Sequence, residues 1–509
     1  MEKQHITTEQ QTEGDTMMRT ETTLTEGHQR NLQITFNLWS TLGLVYSITA
    51  TPFGMISYLS FTLILGGSPF FIYCYIVAVT FNIILCVALA EVSAIYPHPS
   101  GHIYWVGKTA PKGWEKSLSY WTGTLTSAAW FFWNAGVHLL TGQIIMAVVT
   151  VLHPSYTTQP WHVLLVAFAQ ALLSIAWNVP LFKALPYALK AMVVITNASV
   201  LLISISLLVR AHPKQTSGSV WAEVVNESGW SSNGVVFFLG LLPGATAING
   251  FDSASHMVEE MSDPARQVAQ VMIGNSVLSA LSGFYMIVVC AYCVTNVQNL
   301  LTPVGGVTII QIFQDSLNSE ALFTLASTLY IIITIVAAVA TATTTSRVFW
   351  SFSEHKGLPF HKWISTISRT NLWEVPMNAV ITVSVLSCII LLLNLGPSFL
   401  LATLFTAADV CFYASYIITL GCFLHRKWTR GLPPHYCNLG GRMGDIIGVT
   451  SIVWSIFVSV WLFFPDYRPV TSTGMNYSVA LVGIVVAIFS VDWFVRGRRQ
   501  YFIPSRLLV

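Results

Sequence analysis

Twelve apolar runs, each about 20 residues or longer, follow one another along this chain, and only a bilayer hydrocarbon core about 30 Å thick accommodates such a series as helices. Their approximate limits are 37–65, 69–95, 118–151, 161–181, 186–210, 233–256, 269–295, 320–346, 377–395, 398–424, 444–464 and 477–495. Composition agrees, with 54% hydrophobic and 9% charged residues where a soluble domain carries about a quarter charged. A polytopic, all-α membrane protein of twelve transmembrane helices is therefore expected.

The basic residues test this count, because Lys and Arg accumulate in loops that stay in the cytoplasm. With the N-terminus inside, 21 of the 24 fall on the cytoplasmic side, among them Lys108, Lys112, Lys116, Lys183, Lys190, Arg266, Arg347, Lys356, Lys362, Arg369, Arg426, Arg430, Arg442, Arg496, Arg498 and Arg499. Arg210, Lys214 and Arg468 fall outside. Losing one helix in the middle of the chain would scramble this asymmetry. The sequon Asn226-Glu227-Ser228 then lies in an outward loop, which makes Asn226 a candidate glycosylation site. Residues 1–35, rich in Thr, Gln and Glu and without an apolar run, read as a disordered cytoplasmic tail with no cleavable signal peptide, and 496–509 as a second cytoplasmic tail.

Two runs contain helix breakers at corresponding positions. The first holds Ser47-Ile48-Thr49-Ala50-Thr51-Pro52-Phe53-Gly54, in which Pro52 cannot donate to the helix ladder and disfavours helical geometry at Thr51. The sixth holds Pro243-Gly244 and then Asn249-Gly250-Phe251-Asp252. Five spans separate the two, the spacing of a five-plus-five inverted repeat, and paired interruptions of this kind mark the binding site of many secondary transporters. Unwound backbone at membrane depth must face protein, water or a ligand, because lipid offers no hydrogen bonds. A plain proline kink satisfied by neighbouring hydroxyls is the competing reading.

Three stretches resemble the amino acid-polyamine-organocation superfamily of transporters, and within it the fungal amino acid/choline permeases. They are Glu91-Val92-Ser93-Ala94-Ile95-Tyr96-Pro97-His98-Pro99-Ser100-Gly101-His102-Ile103-Tyr104-Trp105-Val106, Gly250-Phe251-Asp252-Ser253-Ala254-Ser255-His256-Met257-Val258-Glu259-Glu260, and Thr345-Ser346-Arg347-Val348-Phe349-Trp350 followed by His355-Lys356-Gly357-Leu358-Pro359-Phe360. The family's usual Gly-Gly pair is Ser100-Gly101 here, its Arg-Asp pair is His355-Lys356, and Thr246-Ala247 stand where relatives often place an aromatic gate. The resemblance implies a ten-helix core over 36–424, with broken helices 1 and 6, and peripheral helices 11 and 12 over 425–495.

It also implies roles. Ser47, Thr49, Ala50 and Thr51 would hold the solute's carboxylate or head group, or else are small residues for helix packing. Phe53 would close over the solute or face lipid, and Asn249, Gly250 and Phe251 would form the facing wall, with Phe251 either a contact or core. Glu259 and Glu260 read as an inner-gate network with Arg347, while Asp252 and His256, four apart on one helix face, serve either gating or proton coupling. Lys190 matches a lysine near the cation site of related transporters, or is an ordinary cytoplasmic flank. Asp409, with no charge in its local sequence, needs a proton, a hydrogen-bond donor or a cationic partner, and an amine-bearing solute would supply the last. His138, following Trp130, Trp133 and Asn134, lines the cavity or is a satisfied core histidine.

The expected function is a secondary transporter, not an enzyme, for an amino acid, gamma-aminobutyrate or choline, with proton-coupled uptake at a fungal plasma membrane. Exchange, facilitated diffusion or solute sensing without transport are the alternatives. No GxxxxGK loop points to a nucleotide, no basic stretch points to nucleic acid, and no cofactor or metal is implied, since Cys290 and Cys293 read as small buried residues of one helix. The partners expected are the solute, protons and the bilayer; the oligomeric state is not legible.

Overall fold

The computed structural model describes residues 34–369, 374–396, 400–471 and 475–505. The sequence readings for 1–33, with Lys3, Arg19 and Arg30, and for Arg506 and the rest of 506–509 lie outside these residues.

Twelve helices among the described residues are long and apolar enough to cross a membrane. Spans 1 to 6 are Leu38–Ile64, Gly67–Ile95, Glu115–Leu152, Pro160–Asn178, Phe182–Arg210 and Asn233–Glu260. Spans 7 to 12 are Pro264–Cys293, Glu320–Glu354, Met377–Leu395, Leu400–Arg430, Arg442–Trp461 and Ser478–Gln500. Every expected run is present. Spans 6 and 8 continue past their apolar stretches because their last turns are buried by protein, where a polar side chain that finds a partner is tolerated, whereas span 10 runs on to Arg430 with its last turn exposed.

Spans five apart in the chain share features. Spans 1 and 6 are interrupted; spans 3 and 8 are the longest, at 38 and 35 residues. The short helix His102–Thr109 follows span 2 on the N-terminal face, and its counterpart Thr308–Leu317 follows span 7 on the opposite face. A two-strand ribbon, Ser368–Arg369 with Glu374–Val375, precedes span 9. Span 12 lies at the periphery with most side chains exposed to the surroundings, a surface suited to lipid.

Both ends of the described chain pack on the N-terminal face. Thr35 and Phe36 donate backbone N–H groups to the Glu260 carbonyl at 3.0 and 2.9 Å, and Phe36 is buried. Beyond span 12, Tyr501 is buried with its hydroxyl 2.6 Å from Ser119, and within the last turns of that span Arg496 donates to the Gly357 carbonyl at 2.8 Å. Apolar residues Phe36 and Tyr501 at the margins of polar segments are what holds them down.

Spans 1 and 5 touch backbone to backbone. A Cβ on Gly43 would stand 2.2 Å from the Leu189 carbonyl oxygen, so only glycine permits this approach. The Gly43→Val substitution is expected to destabilise the protein by about 1–3 kcal/mol through overpacking that no side chain can relieve. A lowered thermal midpoint in detergent checks this; an unchanged midpoint would show that spans 1 and 5 separate freely.

Candidate functional site: a cavity between two unwound helices

Span 1 divides into Leu38–Thr49 and Thr51–Ser57, joined at Ala50, whose left-handed backbone (φ 38°) is costly for a residue with a Cβ. Pro52 enters at the first turn of the new helix, where a missing N–H costs nothing. The turn at Tyr58 separates a third piece, Leu59–Ile64. Span 6 is helical over Asn233–Thr246, unwinds over 247–250, and resumes as a ten-residue 3-10 helix, Phe251–Glu260. Gly250 makes the turn with φ 91°. Pro243, read from the sequence as part of the break, sits within the helix instead. Neighbouring Gly244 lets span 6 press on span 2, since a Cβ there would meet Ala78 at 2.8 Å.

The two breaks are tied together and to span 10. Thr51 donates its hydroxyl to the Ala247 carbonyl at 2.7 Å, satisfying a backbone acceptor that unwinding releases. Asp409 of span 10 accepts from the Thr246 hydroxyl and from the Asn249 amide, both at 2.7 Å. Tyr413, one turn on, donates to Ala245 at 2.9 Å, and Asn82 of span 2 donates to the same carbonyl.

Above these breaks lies a cavity of about 380 Å³ that runs toward the face opposite the N-terminus. Its floor and walls include Thr49, Ala50, Thr51, Thr246, Ala247 and Asp409, with the rings of Tyr58, Trp133, Tyr330 and Phe405 around them; Asp466 and exposed Tyr467 stand at the mouth. Trp133 and Phe405 meet edge to face, with centroids 5.1 Å apart. Two carboxylates and several aromatic rings thus share a wall that, among the described residues, contains no Lys, Arg or His.

Toward the N-terminal face the path is shut. Asp252 lies 3.3 Å from His102 Nε2 and 3.7 Å from His256 Nε2, and accepts from Tyr416 at 3.3 Å. All four are buried. Burial holds the His102 imidazole below its ordinary pKa, against the opposing pull of the Asp252 carboxylate. Nearer the surface, Arg347 Nε pairs with Glu260 at 3.1 Å, and the guanidinium lies 4.9 Å from the Phe182 ring centroid. Gly101 (φ 49°) fits against span 6, where a Cβ would be 2.8 Å from Ser255 Oγ, while Ser100 bonds Ser351 of span 8 at 2.6 Å.

The remaining sequence candidates are placed as follows. Ser47 is buried with its hydroxyl outside the cavity wall. Phe53 faces neither solute nor lipid; it is buried and stacks at 5.4 Å behind Tyr330. Phe251 is buried and stacks at 5.7 Å on Tyr416, below the cavity. Asn249 and Gly250 form the break without lining the cavity. Glu259 is buried beside Glu260. Half-buried Lys190 lies away from the cavity, its Nζ 5.6 Å from the exposed Tyr187 ring. Asn226 donates to Trp230 at 2.9 Å in the loop before span 6. His138 is held between Asn134 (2.6 Å) and Ser174 (3.3 Å). Cys290 and Cys293 are both buried in span 7. Sequence reading missed Tyr58, Tyr330, Phe405, His102 and Asp466. Their only local signal was an aromatic or charged residue inside or beside an apolar run, which many core positions share.

A twelve-span helical chain whose first and sixth crossings unwind at a cavity lined by carboxylates, hydroxyls and aromatic rings is built as a transporter of small solutes. Residues 36–487 match the family model described as amino acid permease, and the chain belongs to that family, within the amino acid-polyamine-organocation superfamily. Over 473 residues it is 26% identical to the choline transporter of Saccharomyces cerevisiae, covering 92% of this chain and 83% of that protein. It is also 26% identical to the swainsonine transporter of Arthroderma benhamiae over 93% of each chain. The match to amino-acid permease 2 of Neurospora crassa is likewise 26%, over 92% of this chain and 86% of that one. These relatives are transporters and permeases rather than enzymes.

Removing one partner of a buried ion pair leaves the other charge uncompensated, at about 3–5 kcal/mol. Arg347→Ala is therefore expected to loosen the closed N-terminal face. With a thiol reporter placed in the gate by Ser253→Cys at a buried position, Arg347→Ala should speed reaction with a small thiol reagent at least about tenfold, a modest fraction of that energy. An unchanged rate would show that closure rests on packing alone.

Proposed function

We propose that this permease carries a small amine-bearing solute, an amino acid, gamma-aminobutyrate or choline, in proton-coupled uptake by alternating access, with both termini cytoplasmic and the plasma membrane as its site. One observation carries the reading of the solute. Asp409 presents a carboxylate at the floor of a cavity walled by Tyr58, Trp133, Tyr330 and Phe405, with no basic side chain among the described lining residues. An ammonium head group supplies the missing counter-charge and gains cation-π attraction from the rings, about 2 kcal/mol or more when desolvated. Thr49 and Thr51, at the break in span 1, offer hydroxyls to a carboxylate or hydroxyl at the solute's other end. Choline, the solute named for the yeast relative, has this combination of a quaternary ammonium and a hydroxyl.

With the N-terminus inside, the conformation is open to the exterior and closed toward the cytoplasm by the Asp252 cluster and the Arg347–Glu260 pair. Alternating access then requires those contacts to part while the mouth beside Tyr58 closes. For proton coupling, Asp409 and the Asp252–His102–His256 group are the better-placed candidates, because each is buried and able to exchange a proton for a solute or gate contact. Lys190, away from the cavity, reads better as a flank at the cytoplasmic boundary. Glu259 and Glu260 belong to the gate on this reading.

An uptake screen in proteoliposomes tests the proposal, with choline, gamma-aminobutyrate, polyamines and the common amino acids offered with and without an inward proton gradient. Accumulation of one amine against its gradient only when protons flow inward is the expected result. Asp409→Asn is expected to raise KM for that amine tenfold or more, on the order of one lost buried charge contact. An unaltered KM would remove Asp409 from the recognition site.

A further inference from the structure

The loop joining spans 11 and 12 brings a second carboxylate to the cavity. Asp466 lines the mouth together with Tyr467 and Asn476, and no hydrogen bond or ion pair engages its side chain among the described residues. The one cation near it in sequence is committed elsewhere. The Arg468 guanidinium lies 3.8 Å from the centroid of the Trp230 ring, and its backbone N–H donates to the Ser228 carbonyl at 2.7 Å. Gly229 (φ 76°) accepts this approach, since a Cβ there would stand 2.1 Å from the Arg468 carbonyl oxygen. At the other end of the loop, Asn476 donates to the Leu462 carbonyl at 2.7 Å. The segment that carries Asp466 is thus held through Leu462 before it and Arg468 after it, and Asp466 lines the cavity.

We propose that Asp466, with the Tyr467 ring beside it, forms an outer cation-binding subsite that takes a substituted ammonium at the cavity mouth before it passes to Asp409. The choice of head group rests on the amine-bearing reading above; the charge of the subsite does not. Burial pushes the Asp466 carboxyl up to about 7. The titratable groups sharing the cavity with it are Asp409, Tyr58, Tyr330 and Tyr467, all acidic. Its charge is present above pH 7 and is lost as pH falls through that value, so the subsite holds cations in mildly alkaline medium and releases them in acid.

The test uses the full-length protein in detergent carrying Ala402→Cys, a substitution at an exposed position on the cavity wall. Reaction of the introduced thiol with a trimethylammonium-bearing thiosulfonate is compared with its reaction with neutral methyl thiosulfonate, after subtracting the rate of the protein that keeps Ala402. At pH 8 the ratio of charged to neutral rates is expected to fall about five- to tenfold on Asp466→Asn and to persist in Asp466→Glu. In the protein with Asp466 intact the ratio should drop between pH 8 and pH 6, and in Asp466→Asn only the smaller drop contributed by Asp409 should remain. The neutral reagent reports whether each variant keeps its fold. A ratio unaffected by Asp466→Asn, including one that depends on Asp409 alone, overturns the subsite whatever solute is carried. Should choline and the other amines fail to cross while the ratio still follows Asp466, the subsite stands and the amine reading of transport is what fails.

Discussion

A backbone carbonyl or amide left without a partner in hydrocarbon costs several kcal/mol, and the structure is organised around two places where that cost had to be met. At Ala50 and across 247–250 the helices give up their own ladders. The Thr51 hydroxyl on Ala247, and the Tyr413 hydroxyl and Asn82 amide on Ala245, take up carbonyls around the second break. Asp409 holds the side chains of Thr246 and Asn249 in register with it. These bonds come from spans 1, 2 and 10, so the unwound segment of span 6 exists only inside the assembled bundle. The same groups that satisfy the breaks also line or underlie the cavity, which ties the cavity to the stability of the fold.

The cavity is asymmetric in a way that defines the conformation. On one side, rings and two carboxylates surround open volume that reaches exposed Tyr467 and Met475. On the other, buried polar contacts occupy successive layers, first Asp252 with two histidines and Tyr416, then Arg347 with Glu260 and the Phe182 ring. Buried polar contacts of this kind are directional and strengthen one another in a low-dielectric interior.

Span count, helix ends to within about two turns, and the pairing of broken spans 1 and 6 were legible in the sequence, because each follows from local chemistry. Hydrophobic length sets the span, and Pro52 and Gly250 mark where a ladder fails. The cavity wall was legible at Thr49, Ala50, Thr51 and Asp409, and at Thr246 and Ala247 through the gate position. Tyr58, Tyr330 and Phe405 sit in apolar helices where a ring facing a cavity has the same neighbours in sequence as a ring facing lipid. Phe53 and Phe251 show the converse, since both adjoin a break and both turn into the core. His102 and Asp466 are set beside the gate and the cavity by loops whose course depends on distant partners, Asp252 for one and Trp230 for the other's neighbour Arg468. The packing of Phe36 and Tyr501 on the N-terminal face escaped detection for the same reason.

The ten-residue stretch Phe251–Glu260 is wound as a 3-10 helix, a tight form that proteins seldom sustain beyond three or four residues. It rises about 2.0 Å per residue where an α-helix rises about 1.5 Å, so rewinding it would shorten the segment by roughly 5 Å. With its upper end moored through Asn249 to Asp409, that contraction would retract Glu260 from both Arg347 and the Phe36 backbone. A change of pitch in the lower half of span 6 would thus convert a local rearrangement of hydrogen bonds into travel along the membrane normal.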